Sequence, residues 1–249
     1  MKYLVVIIFF VFTACGKKKS EPVGVYKASG PILLPDSVIK NDTRVHAVKI
    51  FKDGYWIMAI YGNSFQSMIS CAGGTYKAGG GECIRKFDYY SRDTSLTGIA
   101  DKFFYTNLGN KYIETAIKNA TLVNPFINNE EYEKVTSSTP LKNAGMEGVW
   151  KIESGQVGYA RMGDDYIKIY SYPGFAWVQY NKQEKKFMAA GGGTYQYDGN
   201  IVTETIDFTT YKIAIGSTIE WKTTKQKDGK VMLYDIDSYF DEEVWRKIK

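Results

Sequence analysis

Two charged residues within apolar, alternating stretches are the best candidates for binding chemistry in this sequence. Glu204 lies in the stretch 202–208, where apolar residues alternate with threonines and an aspartate. Successive side chains of a strand point to opposite faces, so Glu204 shares the apolar face that must point inward. If Asp198-Gly199 forms a two-residue turn, the register places Glu204 opposite Gly193.

Arg85 holds the corresponding place in the stretch 83–89, and the same register places it opposite Gly74. A buried charge is costly unless it is paired or solvated, and a glycine opposite it leaves open space over the sheet. A charge beside open space is what a ligand pocket requires. The alternative for both residues is structural: hydrogen bonds to neighbouring tyrosine hydroxyls, or a position near a wet mouth of the fold. Their opposite charges suggest that any ligands of the two sites differ.

Aromatic side chains near these charges complete the candidate ligand-binding set. Its aromatic members are Tyr76, Tyr195, Trp56 and Trp177. Aromatic rings could stack on a sugar or line a cavity for a lipid-like molecule. Packing in the hydrophobic core is the alternative for the same residues.

Patterns for catalysis and metal binding are missing from the sequence. His46 is the single histidine, which excludes a Ser-His-Asp triad in its usual form and a histidine-rich metal site. Acidic residues cluster at Asp164-Asp165 and between Asp235 and Asp241, where solvated loop charges are favoured over a calcium site. The sequence therefore predicts a protein that is not an enzyme and has no cofactor or metal. A net charge of +5 without a basic stripe predicts no nucleic-acid partner.

The N-terminal residues predict export and a lipid anchor. Residues 1–14 have a positive start and a short apolar run, which is typical of a secretory signal and too short to span a bilayer. The run ends at Phe12-Thr13-Ala14-Cys15, which resembles a bacterial lipobox with Cys15 as the lipidated residue. An ordinary signal peptide that is cleaved elsewhere is the alternative. Residues 15–23 are then a tether, and the membrane is a partner through the N-terminal lipid.

The residues after Cys15 indicate which membrane the lipid anchor would enter. Gly16, rather than Asp, fits the outer membrane under the sorting rule known for enteric bacteria. Residues 17–19 are lysines and lack the acidic residues that a surface-exposed lipoprotein would call for. We therefore expect an outer-membrane lipoprotein that faces the periplasm, with surface exposure as the alternative.

The sequence contains one domain twice. Gly24-Val25-Tyr26-Lys27 returns as residues 148–151, and Gly73-Gly74-Thr75-Tyr76 returns as residues 192–195. Residues 24–135 and 148–249 form the two copies, and residues 136–147 have the composition of a linker. Short stretches rich in Val, Ile, Thr, Tyr and Phe between glycine-containing turns predict an all-β fold, either a closed barrel or a sandwich.

The second copy resembles the lipocalin-like DUF4488 domain of Bacteroidetes envelope proteins. The resemblance rests on Gly-Gly-Gly-Thr-Tyr at 191–195, Asp198-Gly199-Asn200, Thr-Glu-Thr-Ile at 203–206 and a terminal Glu-Val-Trp-Arg-Lys. The first copy matches less well, with Ala72, Arg85 and Tyr132 at three of these places. The resemblance implies two tandem small antiparallel up-and-down β-barrels with interior cavities. It implies no established activity.

These observations favour an envelope-anchored lipoprotein that binds a small hydrophobic or amphipathic molecule in its barrels. The alternative is a protein-interaction or assembly module at the outer membrane that has no small-molecule ligand. The register also bears on Cys71 and Cys83, which it separates by five residues along the hairpin and places on opposite faces. We therefore expect two free thiols, with Cys83 buried inside the first barrel and Cys71 on its outer face.

Overall fold

The computed structural model describes residues 20–29, 45–62, 68–116, 130–155, 164–211, 215–236 and 242–249. Within these ranges the chain is all-β. Sixteen antiparallel strands close into two barrels of eight, and the strands of each barrel pair in chain order. The expectation of two tandem up-and-down β-barrels is therefore confirmed. None of the described segments forms a helix that is long and apolar enough to cross a membrane.

Each barrel takes its strands from one copy of the repeat. Barrel 1 contains β1 (Gly24–Ala28), β2 (His46–Lys52), β3 (Tyr55–Tyr61), β4 (Met68–Gly79), β5 (Glu82–Tyr90), β6 (Ala100–Asn107), β7 (Lys111–Ala116) and β8 (Glu130–Lys134). Barrel 2 contains β9 (Gly148–Gly155), β10 (Asp165–Ser171), β11 (Gly174–Asn181), β12 (Lys186–Tyr197), β13 (Ile201–Thr209), β14 (Thr218–Lys225), β15 (Lys230–Asp235) and β16 (Glu242–Lys247). A 3-10 turn at Thr94–Leu96 lies between β5 and β6.

The hairpin of β12 and β13 turns one residue later than the sequence analysis assumed. The carboxylate of Asp198 accepts hydrogen bonds from the backbone N–H groups of Asn200 and Ile201, so the turn residues are 199 and 200. This Asx-type cap shifts the register by two positions. Glu204 therefore pairs with Tyr195 and not with Gly193. In the same way, Arg85 pairs with Tyr76 and not with Gly74.

A β-bulge at equivalent glycines changes which residues face inward at the end of this hairpin. The pairing shifts between Gly73 and Gly74 in β4, and between Gly192 and Gly193 in β12. A Cβ on Gly74 would lie 2.1 Å from the Lys86 carbonyl oxygen, so the close approach requires glycine. The bulge adds one residue to the facing strand and reverses the alternation beyond it. The unbroken alternation assumed for the stretches 83–89 and 202–208 would place Tyr89 and Phe208 inside the barrels with Arg85 and Glu204. That placement is wrong, since both residues pack in the contact between the barrels.

The two barrels pack side by side through equivalent outward-facing residues. Seven pairs of positions, each separated by the repeat offset of 119 residues, supply buried side chains to one apolar cluster. The pairs are Val48 and Ile167, Ile50 and Ile169, Ile57 and Ala176, Ala59 and Val178, Tyr61 and Tyr180, Cys71 and Ala190, and Tyr89 and Phe208. The β2, β3, β10 and β11 strands are thus apolar on both faces.

The aromatic contacts across this interface are reciprocal. Tyr61 stacks on Phe208 with ring centroids 5.0 Å apart, and Tyr89 packs on Tyr180 at 4.9 Å. Tyr61 and Tyr180 are equivalent positions, as are Tyr89 and Phe208. The contact of Tyr61 in barrel 1 with Phe208 in barrel 2 is therefore repeated, with the barrels exchanged, by Tyr180 and Tyr89. Such reciprocal contacts are typical of a twofold dimer.

The residues before the first strand of each barrel lie across one end of it, which we call the closed end. Pro22 is buried, and its carbonyl accepts a hydrogen bond from the Tyr76 hydroxyl at 3.0 Å. In barrel 2, Met146 is buried and its carbonyl accepts from Trp150 Nε1 at 2.8 Å. The last residues of the tether and of the linker therefore dock on the barrels. We call the opposite end of each barrel the far end.

Candidate functional site

Arg85 points into barrel 1, where it belongs to a buried ion network. Its guanidinium donates from Nη2 to Asp101 Oδ2 at 2.9 Å and from Nη1 to Glu114 Oε2 at 3.2 Å. Lys49 Nζ donates to Glu114 Oε2 at 2.8 Å and to Glu130 Oε2 at 3.0 Å. Glu114 therefore bridges the two cations. We call these five residues the barrel 1 network.

The network keeps Glu114 ionised although its side chain is fully buried. Burial alone would raise the pKa of Glu114, but the charges of Arg85 and Lys49, with hydrogen bonds from Lys49 and Tyr112, lower it below its usual value. Burial would lower the pKa of Arg85, but Glu114 and Asp101 raise it above its usual value. The charged forms of Arg85 and Glu114 therefore stabilise each other.

Glu204 points into barrel 2 and has three donors around its carboxylate. The Tyr170 hydroxyl donates to Oε1, Lys168 Nζ lies 3.3 Å from Oε1, and Trp221 Nε1 donates to Oε2 at 3.1 Å. Lys168 Nζ also lies 3.7 Å from Glu243 Oε2. Burial would lower the pKa of Lys168, but Glu204 and Glu243 raise it above its usual value. We call Glu204, Lys168, Tyr170, Trp221 and Glu243 the barrel 2 network.

The two networks have one part in common and one part exchanged. Lys49 and Glu130 in barrel 1 hold the positions of Lys168 and Glu243 in barrel 2. The exchanged positions are Arg85, Asp101 and Glu114 in barrel 1, which are Glu204, Ile219 and Leu233 in barrel 2. Each network contains one more carboxylate than cation. The structural alternative that the sequence left open, inward charges bonded to neighbouring tyrosines, accounts for Glu204.

Tyr76 and Tyr195 lie at the closed ends and help to seal them. The Tyr76 hydroxyl donates to the Pro22 carbonyl, and the Tyr195 hydroxyl donates to Glu147 Oε1 at 2.6 Å. Burial raises the pKa of both hydroxyls above the usual value. Both tyrosines are therefore neutral donors that hold the segment before the first strand.

The space that glycines leave over the sheet is filled by aromatic rings. A Cβ on Gly191 would lie 2.7 Å from Trp177 Cζ2. Trp177 packs inside barrel 2 between Tyr211, whose ring centroid is 5.1 Å away, and Tyr166 at 5.6 Å. The open space expected opposite the two charges, over Gly74 and Gly193, is also filled. A Cβ there would lie 2.1 Å and 1.9 Å from backbone carbonyl oxygens of the facing strand.

In the part of the interior that lies between the ion network and the far end, the two barrels have different side chains. Barrel 1 has Ala47, Met58 and Ile60 at three inward-facing positions of β2 and β3. The equivalent positions of barrel 2 hold the larger or polar residues Tyr166, Trp177 and Gln179. At these three positions barrel 1 therefore has smaller, apolar side chains where barrel 2 has two large aromatic rings. Elsewhere in the same cluster the difference is reversed, since Phe87 and Tyr90 are larger than their barrel 2 equivalents Ile206 and Thr209.

Barrel 1 also contains buried donors without acceptors. Trp56 Nε1 and Arg85 Nε are both buried and have no hydrogen-bond partner. They lie close together, since the guanidinium carbon of Arg85 is 4.9 Å from the centroid of the Trp56 ring. Among the described residues, none of the buried side-chain polar atoms without a partner belongs to barrel 2. Buried donors are nearly always bonded, to water if not to protein, so this place calls for an acceptor.

Two pockets lined entirely by described residues lie outside the barrel interiors. One of about 330 Å³ is formed by the linker and the outer face of barrel 2, and its lining includes Ser137, Thr194, Gln196, Thr203 and Thr205. The other, of about 10 Å³, lies at the contact between the barrels. Neither of these two pockets reaches Arg85 or Glu204.

Cys71 and Cys83 are free thiols in separate clusters, so this expectation is confirmed although the register from which it was argued was wrong. Cys71 packs in the contact between the barrels and Cys83 lies inside barrel 1. Burial raises the pKa of each thiol to about 12. Both thiols are therefore protonated and poorly reactive in the folded protein.

The remaining candidates are at the surface or outside the described residues. The His46 ring packs beside Tyr61 with centroids 5.5 Å apart. In the part of the chain that the structure describes, no three His, Cys, Asp or Glu side chains are grouped to hold a metal ion. Cys15, Asp237 and Asp241 lie outside the described residues.

Sequence reasoning missed most members of the two networks. Lys49 and Lys168 hold equivalent positions in the two copies of the repeat, but the sequence analysis did not deduce their inward orientation. A signal was present, because a lysine retained between apolar neighbours in both copies is unusual for a solvated strand face. Comparison of the chain with protein families, curated proteins and solved structures finds no match.

Proposed function

We propose that this protein is an envelope lipoprotein that binds a small, partly hydrophobic molecule inside barrel 1. The pair of buried, unpartnered N–H groups of Trp56 and Arg85 carries the proposal. A ligand oxygen that reaches either N–H would supply the acceptor that this donor lacks. The apolar part of the ligand would then lie towards the far end, along Ala47, Met58 and Ile60.

The charge of the barrel 1 network favours a neutral ligand. The charged groups of Arg85 already have Asp101 and Glu114 as partners, and the network has a surplus carboxylate. An anion would be repelled by these carboxylates, and a cation would face the two unpartnered donors. A carbonyl, ether or hydroxyl oxygen on an apolar body is the chemistry that fits. Barrel 2, whose interior donors are partnered, is then the scaffold of the pair.

The lipid anchor is supported by the sequence of residues 1–15. Changing Cys15 to Ala should release the chain from the membrane fraction of the producing bacterium, while the unchanged chain stays with the membranes. A Cys15→Ala chain that remains fully membrane-bound would contradict the lipoprotein.

Ligand binding can be tested with prodan, a neutral naphthalene ketone. Prodan should bind the delipidated protein with a rise in fluorescence when Trp is excited, because Trp56 is the single tryptophan of barrel 1. The double variant Ala47→Tyr and Met58→Trp gives barrel 1 the filling of barrel 2. We expect it to weaken prodan binding at least about tenfold, because two rings would occupy the ligand space.

The matched control alters the outer face of barrel 1. Ile84→Thr with Phe104→Lys introduces residues from the equivalent outward positions of barrel 2, and prodan binding should not change. Thermal unfolding of both double variants shows whether each is folded. Equal prodan affinity in a folded Ala47→Tyr, Met58→Trp variant would rule out the interior of barrel 1 as the site.

The second candidate function is a protein-interaction module, and a different observation favours it. Ile84 is 48% exposed and Phe104 is 45% exposed, as diagonal neighbours on the outer face of β5 and β6. The equivalent residues of barrel 2 are Thr203 and Lys222. Copurification of a protein partner with the unchanged chain, and its loss in the Ile84→Thr, Phe104→Lys variant, would support this function. Prodan binding would then be absent from both proteins.

A further inference from the structure

The end of the tether is fixed on the closed end of barrel 1. Pro22 is buried under the Tyr76 hydroxyl, and the Val23 carbonyl accepts from the Tyr26 hydroxyl at 3.1 Å. Asn107 Nδ2 donates to Ser20 Oγ at 3.3 Å, on the opposite side of the barrel from β1. Ser20 to Val23 therefore crosses the closed end, and the described part of the chain begins there.

The closed ends of both barrels lie on the same side of the protein. Lys52, beside the turn of β2 and β3, forms an ion pair with Glu147 at the closed end of barrel 2. At the other side of the molecule, Lys182 of the β11–β12 turn pairs with Asp88 near the far end of barrel 1. The two barrel axes thus point in the same direction.

The number of residues between Cys15 and Ser20 limits the distance to the membrane. The five peptide units from Cys15 to Ser20 span at most about 18 Å when fully extended. Strand β5 has nine residues, and at the usual rise and barrel tilt it covers about 23 Å along the axis, before the loop beyond it is added. With the far ends against the bilayer, Ser20 would be too far from the membrane for Cys15 to reach it.

We infer that the protein stands on its membrane on the closed ends of both barrels, with both far ends directed away from the bilayer. The inference rests on the lipid anchor of the proposed function. A ligand of barrel 1 is then taken up from the aqueous side, and not extracted from the bilayer in which the protein is anchored. Leu108, an exposed apolar residue at the turn of β6 and β7, then faces the lipid headgroups.

Fluorescence quenching by lipids can measure this orientation. Cys71 and Cys83 are buried, so a nitrobenzoxadiazole probe labels the native lipoprotein at an introduced cysteine. Leu108→Cys and Lys227→Cys place the probe at the closed ends. Thr94→Cys and Glu184→Cys place it beyond β5 and β11, at the far ends.

The four labelled lipoproteins are reconstituted into vesicles of phosphatidylethanolamine and phosphatidylglycerol that contain a lipid with a nitroxide on its headgroup. We expect quenching at the probes on residues 108 and 227, several-fold above that at the probes on residues 94 and 184. Equal quenching at both ends, or stronger quenching at 94 and 184, with the protein sedimenting with the vesicles, would overturn the orientation alone. Failure of the lipoprotein to sediment with vesicles would overturn the anchor and the orientation together.

Discussion

Arg85 and Glu204 hold the same position in the two barrels and carry opposite charges. Each faces inward from the second strand of a hairpin and pairs across the ladder with an equivalent tyrosine. The exchange is accommodated because the neighbouring Asp101 and Glu114 are replaced by the apolar Ile219 and Leu233. Two carboxylates beside this position thus accompany a buried arginine in barrel 1, and two apolar residues accompany a buried glutamate in barrel 2.

The first prediction exchanges this charge in barrel 1. Arg85→Glu alone should lower the free energy of unfolding by about 3–5 kcal/mol, because it leaves Glu114 and Asp101 beside a third carboxylate in the interior. Adding Asp101→Ile and Glu114→Leu should recover part of the loss, since Lys49 can then pair with the new Glu as Lys168 pairs with Glu204. Urea unfolding of the single and triple variants measures both effects.

The corresponding control is Asp101→Ile with Glu114→Leu in the presence of Arg85. This variant leaves Arg85 buried without a carboxylate partner, and it should be less stable than the triple variant. A triple variant no more stable than Arg85→Glu would show that the exchanged charges do not compensate each other.

The repeat pattern and the turn residues were enough to predict two all-β domains, because period-2 alternation and glycine turns are local properties of the chain. They left a barrel and a sandwich open, and only the resemblance to DUF4488 implied two up-and-down barrels. The register was not predictable in the same way. The capping of Asn200 and Ile201 by Asp198 moves the turn by one residue, and the bulge at Gly74 depends on contacts with β5. The residue types favour both features, Asp in the turn and consecutive glycines in the strand, but residue type alone does not fix the register.

The site was predicted in part, since Arg85 and Glu204 do face inward. Their partners were missed because the β2 and β10 strands are apolar on both faces. Val48 and Ile50 pack on the other barrel, so the alternation around Lys49 does not reveal which face is the interior. The resemblance to DUF4488 stays a prediction.

The second prediction concerns the pH dependence of stability. The pKa of Glu114 is lower in the folded protein than in the unfolded chain, so its contribution is present above about pH 4.3 and is lost as the pH falls through the folded-state value. Glu114→Gln should therefore be less stable at pH 7, and its difference from the unchanged protein should shrink below about pH 4. Chemical unfolding across this range measures the difference.

Glu131→Gln serves as the matched control for the pH experiment. Its side chain is exposed on the adjacent strand and pairs with Lys111 at the surface, where an ion pair contributes about 0–1 kcal/mol. We expect its unfolding profile to follow that of the unchanged protein. A Glu114→Gln deficit that stays constant with pH would show that the carboxylate is not held ionised by Arg85 and Lys49.

The third prediction tests the filling of barrel 2 by Trp177. Gly191→Ala places a methyl group where the indole lies, 2.7 Å away, and should lower the free energy of unfolding by about 1–3 kcal/mol. Gly79→Ala is the control, because a Cβ there meets no atom within 4 Å. We expect that variant to be within about 0.5 kcal/mol of the unchanged protein. Equal stability of the two variants in thermal unfolding would mean that the space over Gly191 is open.

The last prediction concerns the two cysteines of an exported chain, for which a disulfide is the usual expectation. Cys71 packs between the barrels and Cys83 packs inside barrel 1, on opposite faces of the sheet, so a bond would require the hairpin to open. In the Cys15→Ala variant, which lacks the anchor cysteine, maleimide should label neither thiol in the folded protein. Both should be labelled in denaturant without a reductant. Labelling that appears only after reduction would mean that the register of β4 against β5 is different from the one described.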